Sequence, residues 1–193
     1  ALGSPRRVIK QVHDYGGLVF ADVNSVAYAK KAAEAGADFA KIQSMHSSEL
    51  THRERFDNGL IEGGKVKIIK RPYKDEYERL KKLDLELEDH SLFLSLCKKY
   101  KIIPCTTIFS LSKIKMISDL KFETVKVASF DCASHRLIEE ITKFDFKHII
   151  VSTGATFNRE IKKTASILKE SKKKFTLLHC ISIYPTPLKE GHL

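Results

Sequence analysis

The feature that most limits how this chain can fold is an alternation of short apolar runs with helix-like stretches through its second half. Runs of strand length stand at Lys101–Thr107, Thr124–Ser129, His148–Ser152 and Phe175–His179. Between them lie Leu111–Leu120, Ala133–Phe144 and Asn158–Lys169, which read as helices. Strands of five or six mostly apolar residues, separated by helices, point to a parallel sheet covered on its faces. The first half repeats the pattern less regularly. Ser4-Pro5 opens a helix that runs to about Tyr15 and stops at Gly16-Gly17. Leu18–Val23 and Asp38–Gln43 read as strands, joined by a helix capped at Asn24-Ser25 and closed at Gly36. Two helical segments are expected between Asp75 and Tyr100, where Leu92, Phe93, Leu96 and Cys97 recur at helical spacing.

Six strands in strand–helix order predict an α/β fold of the (β/α)8 TIM-barrel type. A closed barrel takes about 250 residues, so the 193 residues are read as one partial barrel domain, 1–193, with about six βα units. The polar stretch from Ser44 to Lys74 contains Asn58-Gly59, Gly63-Gly64 and Arg71-Pro72. It is expected to be mobile or irregular, lying over the carboxyl end of the sheet.

Charge narrows the choice of partner only slightly. Lys and Arg total 34 against 24 Asp and Glu, for a net charge of +10. The basic clusters at Lys65–Lys74, Lys98–Lys101 and Lys169–Lys174 read as solvated helix ends and loops. They lack the interleaved aromatics of a nucleic-acid surface, so no nucleic-acid partner is expected. The four cysteines, Cys97, Cys105, Cys132 and Cys180, show no metal-ligand spacing and lie in or beside apolar runs, as reduced thiols do. No run approaches the roughly 18 apolar residues of a membrane span, and the first residues do not form a signal sequence. A cytoplasmic protein without a membrane partner is the expectation.

In parallel α/β folds, function gathers just past the carboxyl ends of the strands. Here those positions hold Lys41 and Gln43, Thr106 and Thr107, Lys126, Ser129 and Asp131, Ser152-Thr153-Gly154, and Ser182 with Tyr184. Lys41 lies between Ala40 and Ile42, and Lys126 between Val125 and Val127. A buried ammonium without a partner is costly, so both lysines are expected to share an anion. A Ser-Thr-Gly turn before a helix suits phosphate, through its backbone N–H groups and the helix dipole.

Several segments, in order, resemble the N-acetylneuraminate synthase family, which includes the legionaminic and pseudaminic acid synthases. They are AGAD-x-x-K-x-Q at Ala35–Gln43, ELT at Glu49–Thr51, LKKLDLELEDH at Leu80–His90 and K-V-A-S at Lys126–Ser129. STGA at Ser152–Ala155 and LHC-x-S-x-YPTP at Leu178–Pro187 complete the series. The resemblance implies a barrel that condenses phosphoenolpyruvate with an N-acetylated amino-sugar aldehyde into a nine-carbon 2-keto sugar acid. It implies that Lys41, Thr107, Lys126, Ser129, Ser152 and Ser182 hold phosphoenolpyruvate, and that Gln43 and Tyr184 face the sugar. Lys41, Lys126 and Asp131 become the catalytic candidates. It also implies a divalent metal, Mn or Mg, whose histidine ligands in the family lie in later barrel strands.

The chain departs from that pattern in places. Strand one reads FADVNSVAY where the family has a Glu-Ile-Gly-x-Asn-His type motif, so Asp22 is the one acid there that could stand in. Residues 12–38 also resemble a βα unit of nitronate monooxygenase-type flavin barrels. Phe130 replaces a small residue and is expected to crowd the pocket. The eight histidines show no ligand spacing and are read as structural. Three other readings stay open: a non-catalytic anion-binding remnant or hybrid barrel, a flavin-dependent barrel, and a nucleic-acid binder resting on charge alone. The 193-residue chain by itself is expected not to turn over and to be prone to association, with homo-oligomerisation one way to cover its open sheet edges.

Overall fold

The computed structural model describes residues 5–23, 25–183, 187 and 191; the expected caps at Ser4 and Asn24, and Tyr184, lie outside them. Helix α1 (Pro5–Asp14) ends where Gly16 takes a left-handed φ of 74°. Strand β1 is shorter than expected, Phe20–Asp22, and is followed by a 3-10 turn at Val26–Tyr28 and helix α2 (Ala29–Ala35). Gly36 closes α2 with φ 93°, the left-handed cap for which glycine is suited. Strand β2 is Phe39–Ser44.

The Ser44–Lys74 stretch is more ordered than its composition suggested. It holds 3-10 turns at Ser47–Glu49 and Glu54–Phe56 and an antiparallel hairpin, β3 (Leu60–Glu62) and β4 (Lys65–Ile68). The hairpin turns at Gly63 and Gly64, both left-handed (φ 55° and 72°), as a tight two-residue turn requires. Helices α3 (Tyr73–Lys81) and α4 (Leu87–Tyr100) occupy the two expected segments. After them come β5 (Ile103–Ile108), α5 (Leu111–Asp119), β6 (Thr124–Val127), α6 (His135–Thr142), β7 (His148–Ser152), α7 (Asn158–Glu170) and β8 (Lys174–Leu178). Two boundaries differ for local reasons. Lys101 does not begin a strand but caps α4 in the left-handed conformation, and Ser129 has left the sheet for a 3-10 turn, Ser129–Asp131.

The main sheet has six parallel strands in the order β1-β2-β5-β6-β7-β8, the sequential order of an open barrel-type fold. Its register separates two faces. Ala40, Ile42, Ile108, Val125, Val127, Ile149 and Val151 point under the helices and form the core with Phe93, Ile117, Ile138 and Leu168. The opposite face starts apolar, with Phe20 stacked on Phe39 at 4.0 Å, and becomes polar towards the strands' carboxyl ends. Burial on one face therefore fixes which side chains the other face presents.

A buried polar relay pins α4 to the end of β2. A carbonyl only accepts, so His90 Nδ1 donates to Glu86 O (2.6 Å). That leaves Nε2 to accept from the Ser44 hydroxyl (2.7 Å), and Ser44 in turn accepts from Thr106 (2.6 Å). Burial is the first cause holding the His90 pKa below its ordinary 6.5, and Lys113 adds to it, while the Glu86 carbonyl, Asp89 and Glu86 oppose. A depressed folded pKa means that the unfolded chain binds the proton more readily. Stability is thus fully present above about pH 6.5 and declines as pH falls from there through the folded value. Denaturant midpoints measured between pH 7.5 and 5 should fall more steeply for the wild type than for His90→Gln. Parallel curves would mean that His90 does not titrate in this way.

Candidate anion site at the carboxyl rim of the sheet

Cross-strand register assembles the site. Asp22 lies beside Lys41, Lys41 beside Cys105, Gln43 beside Thr107, and Thr107 beside Lys126. Lys126 pairs in turn with Ile150, and Ser152, two residues further along β7, pairs with Leu178. Side chains two apart on a strand share a face, so Asp22, Lys41, Gln43, Thr107, Lys126 and Ser152 line the side of the sheet away from the helices.

The two lysines are not equivalent. Lys41 is 6% exposed and has its own counter-ion, Asp22, at 2.9 Å, with Thr107 Oγ1 at 3.3 Å. This corrects the expectation that both lysines depend on a shared anion: Asp22 neutralises Lys41, and Gln43 Nε2 approaches the same carboxylate at 3.5 Å. Lys126 is half-buried and makes no hydrogen bond or ion pair with any described residue. Burial, and then the neighbouring Lys41 ammonium, lower its pKa from the usual lysine value. A cation kept in that position is one that an arriving anion would stabilise. Cys105 beneath it is an inert thiol, its pKa pushed up to about 12 by burial.

Three more of the expected residues converge at the far end of the rim. A Cβ on Gly154 would lie 2.8 Å from Ser182 Oγ, 3.0 Å from Ser129 Oγ and 3.2 Å from Cys180 Cβ. Close approach, not backbone conformation, is therefore the reason for glycine here. Gly154 N–H donates to Ser129 Oγ (3.2 Å), which leaves the Ser129 proton free for a ligand. The helix-dipole expectation needs correction, because α7 begins only at Asn158 and the Glu160 carboxylate already accepts from Phe157 N–H (2.9 Å). The turn offers hydroxyls rather than an open helix terminus.

Asp131 stands apart from the lysines. It is half-buried, and its recorded side-chain hydrogen bond is from Ser134 Oγ (3.0 Å). Burial raises its pKa, which the Ser134 bond only partly offsets. Phe130 does not crowd this region, since 85% of it is exposed. The histidines of the other motifs serve the scaffold: His13 contacts Asp38 (2.9 Å), and His52 contacts Asp57 (2.7 Å). Among the described residues no three His, Cys, Asp or Glu side chains come together as a metal site, so the residues present do not fit the expected divalent ion.

Two motif segments prove to be braces. Asp84 accepts from Ser47 N (2.7 Å) and Ser47 Oγ (2.6 Å), and Glu49 accepts from Ser110 Oγ (3.0 Å) and from Ser112 at the start of α5. The sequence alone did not identify Asp22 as the Lys41 partner or Ser44–Thr106–His90 as a relay. The signal for Asp22 was an acid at the end of the first strand, the same position on its strand that Lys41 occupies on the second.

A protein-family model, that of the NeuB family, matches residues 28–193. The chain belongs to the NeuB family. Among curated relatives, it is 28% identical over 173 residues to the N,N'-diacetyllegionaminic acid synthase of Campylobacter jejuni, covering 84% of this chain and 48% of that protein. It is 30% identical over 165 residues to a pseudaminic acid synthase of the same species, covering 85% of this chain and 46% of the relative. Among solved structures, the N-acetylneuraminic acid synthetase of Leptospira borgpetersenii superposes with a TM-score of 0.73 at 25% identity, over 91% of this chain and 57% of that one. The chain thus spans about half the length of the curated relatives it matches. The flavin-barrel likeness of residues 12–38 gains no support, because the matching family model and the relatives and solved structure just described are sugar-acid synthases of the NeuB type.

Proposed function

We propose that this NeuB-family chain carries the phosphoenolpyruvate half-site of a sugar-acid synthase. The observation that carries the reading is Lys126, a half-buried ammonium without a partner among the described residues, set between Thr107 and the Ser129–Gly154–Ser182 cluster. Lys126 would meet the ligand's negative charge directly, with Lys41, still paired to Asp22 and bonded to Thr107, as the second cation beside it, while Ser129, Ser152 and Ser182 donate to the remaining oxygens. Gln43 would face the sugar, as would Tyr184, which lies outside the described residues.

The reaction joins the enol carbon of phosphoenolpyruvate to the aldehyde carbon, and the aldehyde oxygen takes up a proton. Water then adds to the cationic carbon that bears the phosphate, giving a tetrahedral intermediate. Its carbon–oxygen bond to phosphate breaks, releasing phosphate and leaving a 2-keto acid. Asp131, with its pKa raised by burial, is suited to moving a proton in these steps, and the lysines stabilise the developing charge. The four free thiols fit a reducing cytoplasmic setting, and no described helix is long and apolar enough to cross a membrane.

A site built for both a carboxylate and a phosphate should bind phosphoenolpyruvate at least about tenfold more tightly than inorganic phosphate, given roughly 1.5–3 kcal/mol per charged hydrogen bond. Each should displace the other in calorimetric competition. Equal affinity, or binding without competition, would contradict the reading. The 193-residue chain alone is proposed not to turn over, because β1 and β8 each leave one sheet edge unpaired among the described residues. The assay is phosphate release from phosphoenolpyruvate and N-acetylmannosamine, or its dideoxy diacetamido relatives, with Mn²⁺ supplied. Release at ordinary enzymatic rates would overturn that proposal.

A further inference from the structure

The β3–β4 hairpin stands clear of the body, with every residue from Leu60 to Lys67 exposed. Ile61 and Val66 pair across it and are 69% and 63% exposed, while Glu62 and Lys65 pair on the opposite face. Leu60 and Ile69 extend the apolar surface at its base. Aliphatic side chains gathered on a projecting tip and rimmed by charge mark an interaction surface. The base of the hairpin is firmly held. A Cβ on Gly59 would meet Ile68 O and Lys70 N at 2.9 Å, Arg71 N–H donates to Phe56 O (2.6 Å), and Tyr73 N–H donates to Asp57 (2.9 Å). Residues 60–71 carry Lys65, Lys67, Lys70 and Arg71 against one acid, Glu62. Directly behind β4 the surface sinks into a recess of about 420 Å³, lined by Lys70, Arg71, Asp75, Glu76 and Arg79. Arg79 forks onto Glu76 (3.0 and 2.6 Å), whereas Lys70 and Arg71 make no side-chain hydrogen bond or ion pair among the described residues.

We propose that the hairpin and the recess behind it form a contact site for an anionic lipid bilayer. Leu60, Ile61 and Val66 enter the boundary of the acyl chains, and the lysines reach the headgroups with their ammonium ends. The recess takes a headgroup phosphate between Lys70 and Arg71. Binding at such an interface sums buried apolar area and the attraction of cations to anionic lipid, and this one short segment supplies both. The placement of charge favours a bilayer over a protein partner. Lys65 and Lys67 lie on the face opposite Ile61 and Val66, and Lys70 and Arg71 lie at the base, so negative charge must surround the tip to meet them all. A headgroup layer does so, whereas a folded partner meets one face. A second copy of the chain would bring the same cations against each other. The contact lies on the surface and needs no spanning helix, in keeping with the lack of one among the described residues. It stands apart from the synthase reading, since none of its residues belongs to the anion rim.

The test is co-sedimentation of the full chain with phosphatidylcholine vesicles, with and without phosphatidylglycerol. Vesicles containing phosphatidylglycerol should bind the chain, neutral ones should not, and salt at about 0.5 M should release it. Ile61→Ser with Val66→Ser, at exposed positions that leave the core intact, should weaken binding about tenfold or more. Lys70→Glu with Arg71→Glu should weaken it at least about twenty-five-fold, at roughly fivefold per cation. Because the chain carries a net charge of +10, Lys98→Glu with Lys99→Glu in the last turn of α4 is the control of equal charge, and it should bind nearly as the wild type does. Equal binding to both kinds of vesicle, or equal losses in the hairpin and control variants, overturns the proposal. Full displacement by glycerol phosphate in solution overturns it too, because the aliphatic tip would then contribute nothing. So does a dimer in vesicle-free solution that Ile61→Ser dissolves while lipid binding persists, which assigns the tip to a second copy.

Discussion

Lys126→Met should weaken phosphoenolpyruvate binding by about 1.5–3 kcal/mol, roughly tenfold to more than a hundredfold, the range for a charged hydrogen bond. Methionine nearly matches the length of lysine and removes only the charge. Lys126 has no described carboxylate to strand, and its ammonium already sits in surroundings that burial and Lys41 make unfavourable. The folded chain should therefore lose little or no stability, and its thermal midpoint should hold or rise. Lys41 offers the contrast. It is bonded to Asp22 and Thr107, so Lys41→Met would lower binding and also leave a carboxylate without its partner. Unchanged affinity in Lys126→Met by calorimetry would remove this residue from the site.

The largest expected effect on stability is at Phe93. It is fully buried in α4 and stacks on Phe122, 6.3 Å between centroids, while His90 meets the same ring edge-on at 6.5 Å. Phe93→Ala removes a buried aromatic and leaves a cavity, which costs about 3–5 kcal/mol. For a chain of this size each kcal/mol shifts the midpoint by roughly 2–4 °C, so a fall of about 6–20 °C is expected in a thermal scan. The same helix carries His90, so the relay from His90 through Ser44 to Thr106 should loosen in the variant. A loss below about 1 kcal/mol would show that α4 is not the clamp described here.

Apolar patterning made most of the fold legible. Continuous runs such as His148–Ser152 are buried beneath helices, and the strand order follows the sequence order because each strand is followed by a helix that returns the chain. The hairpin at Leu60–Ile68 was hidden by its own composition. Its Ile61 and Val66 face solvent beside charged neighbours, so only Gly63-Gly64 marked it. Helix ends shifted where a single backbone angle decided, as at Lys101.

The site was legible as a set of residue types at strand ends, but its pairings were not. Nothing in the spacing of Asp22 and Lys41 reveals that they meet at 2.9 Å, because that depends on the register of two strands. Similarly, Gly154 looked like a phosphate-binding turn from sequence. The structure shows a tight contact with two serines and a helix whose first turn is already occupied by Glu160.

The most direct test of the account is a crystal structure of this chain grown with phosphoenolpyruvate. The account expects the ligand's phosphate and carboxylate to lie within hydrogen-bond distance of Lys126 Nζ and of the Ser129, Ser152 and Ser182 hydroxyls, with Lys41 still paired to Asp22. Phosphoenolpyruvate seated elsewhere, with Lys126 making no contact to it, would contradict the claim that this rim is the binding site.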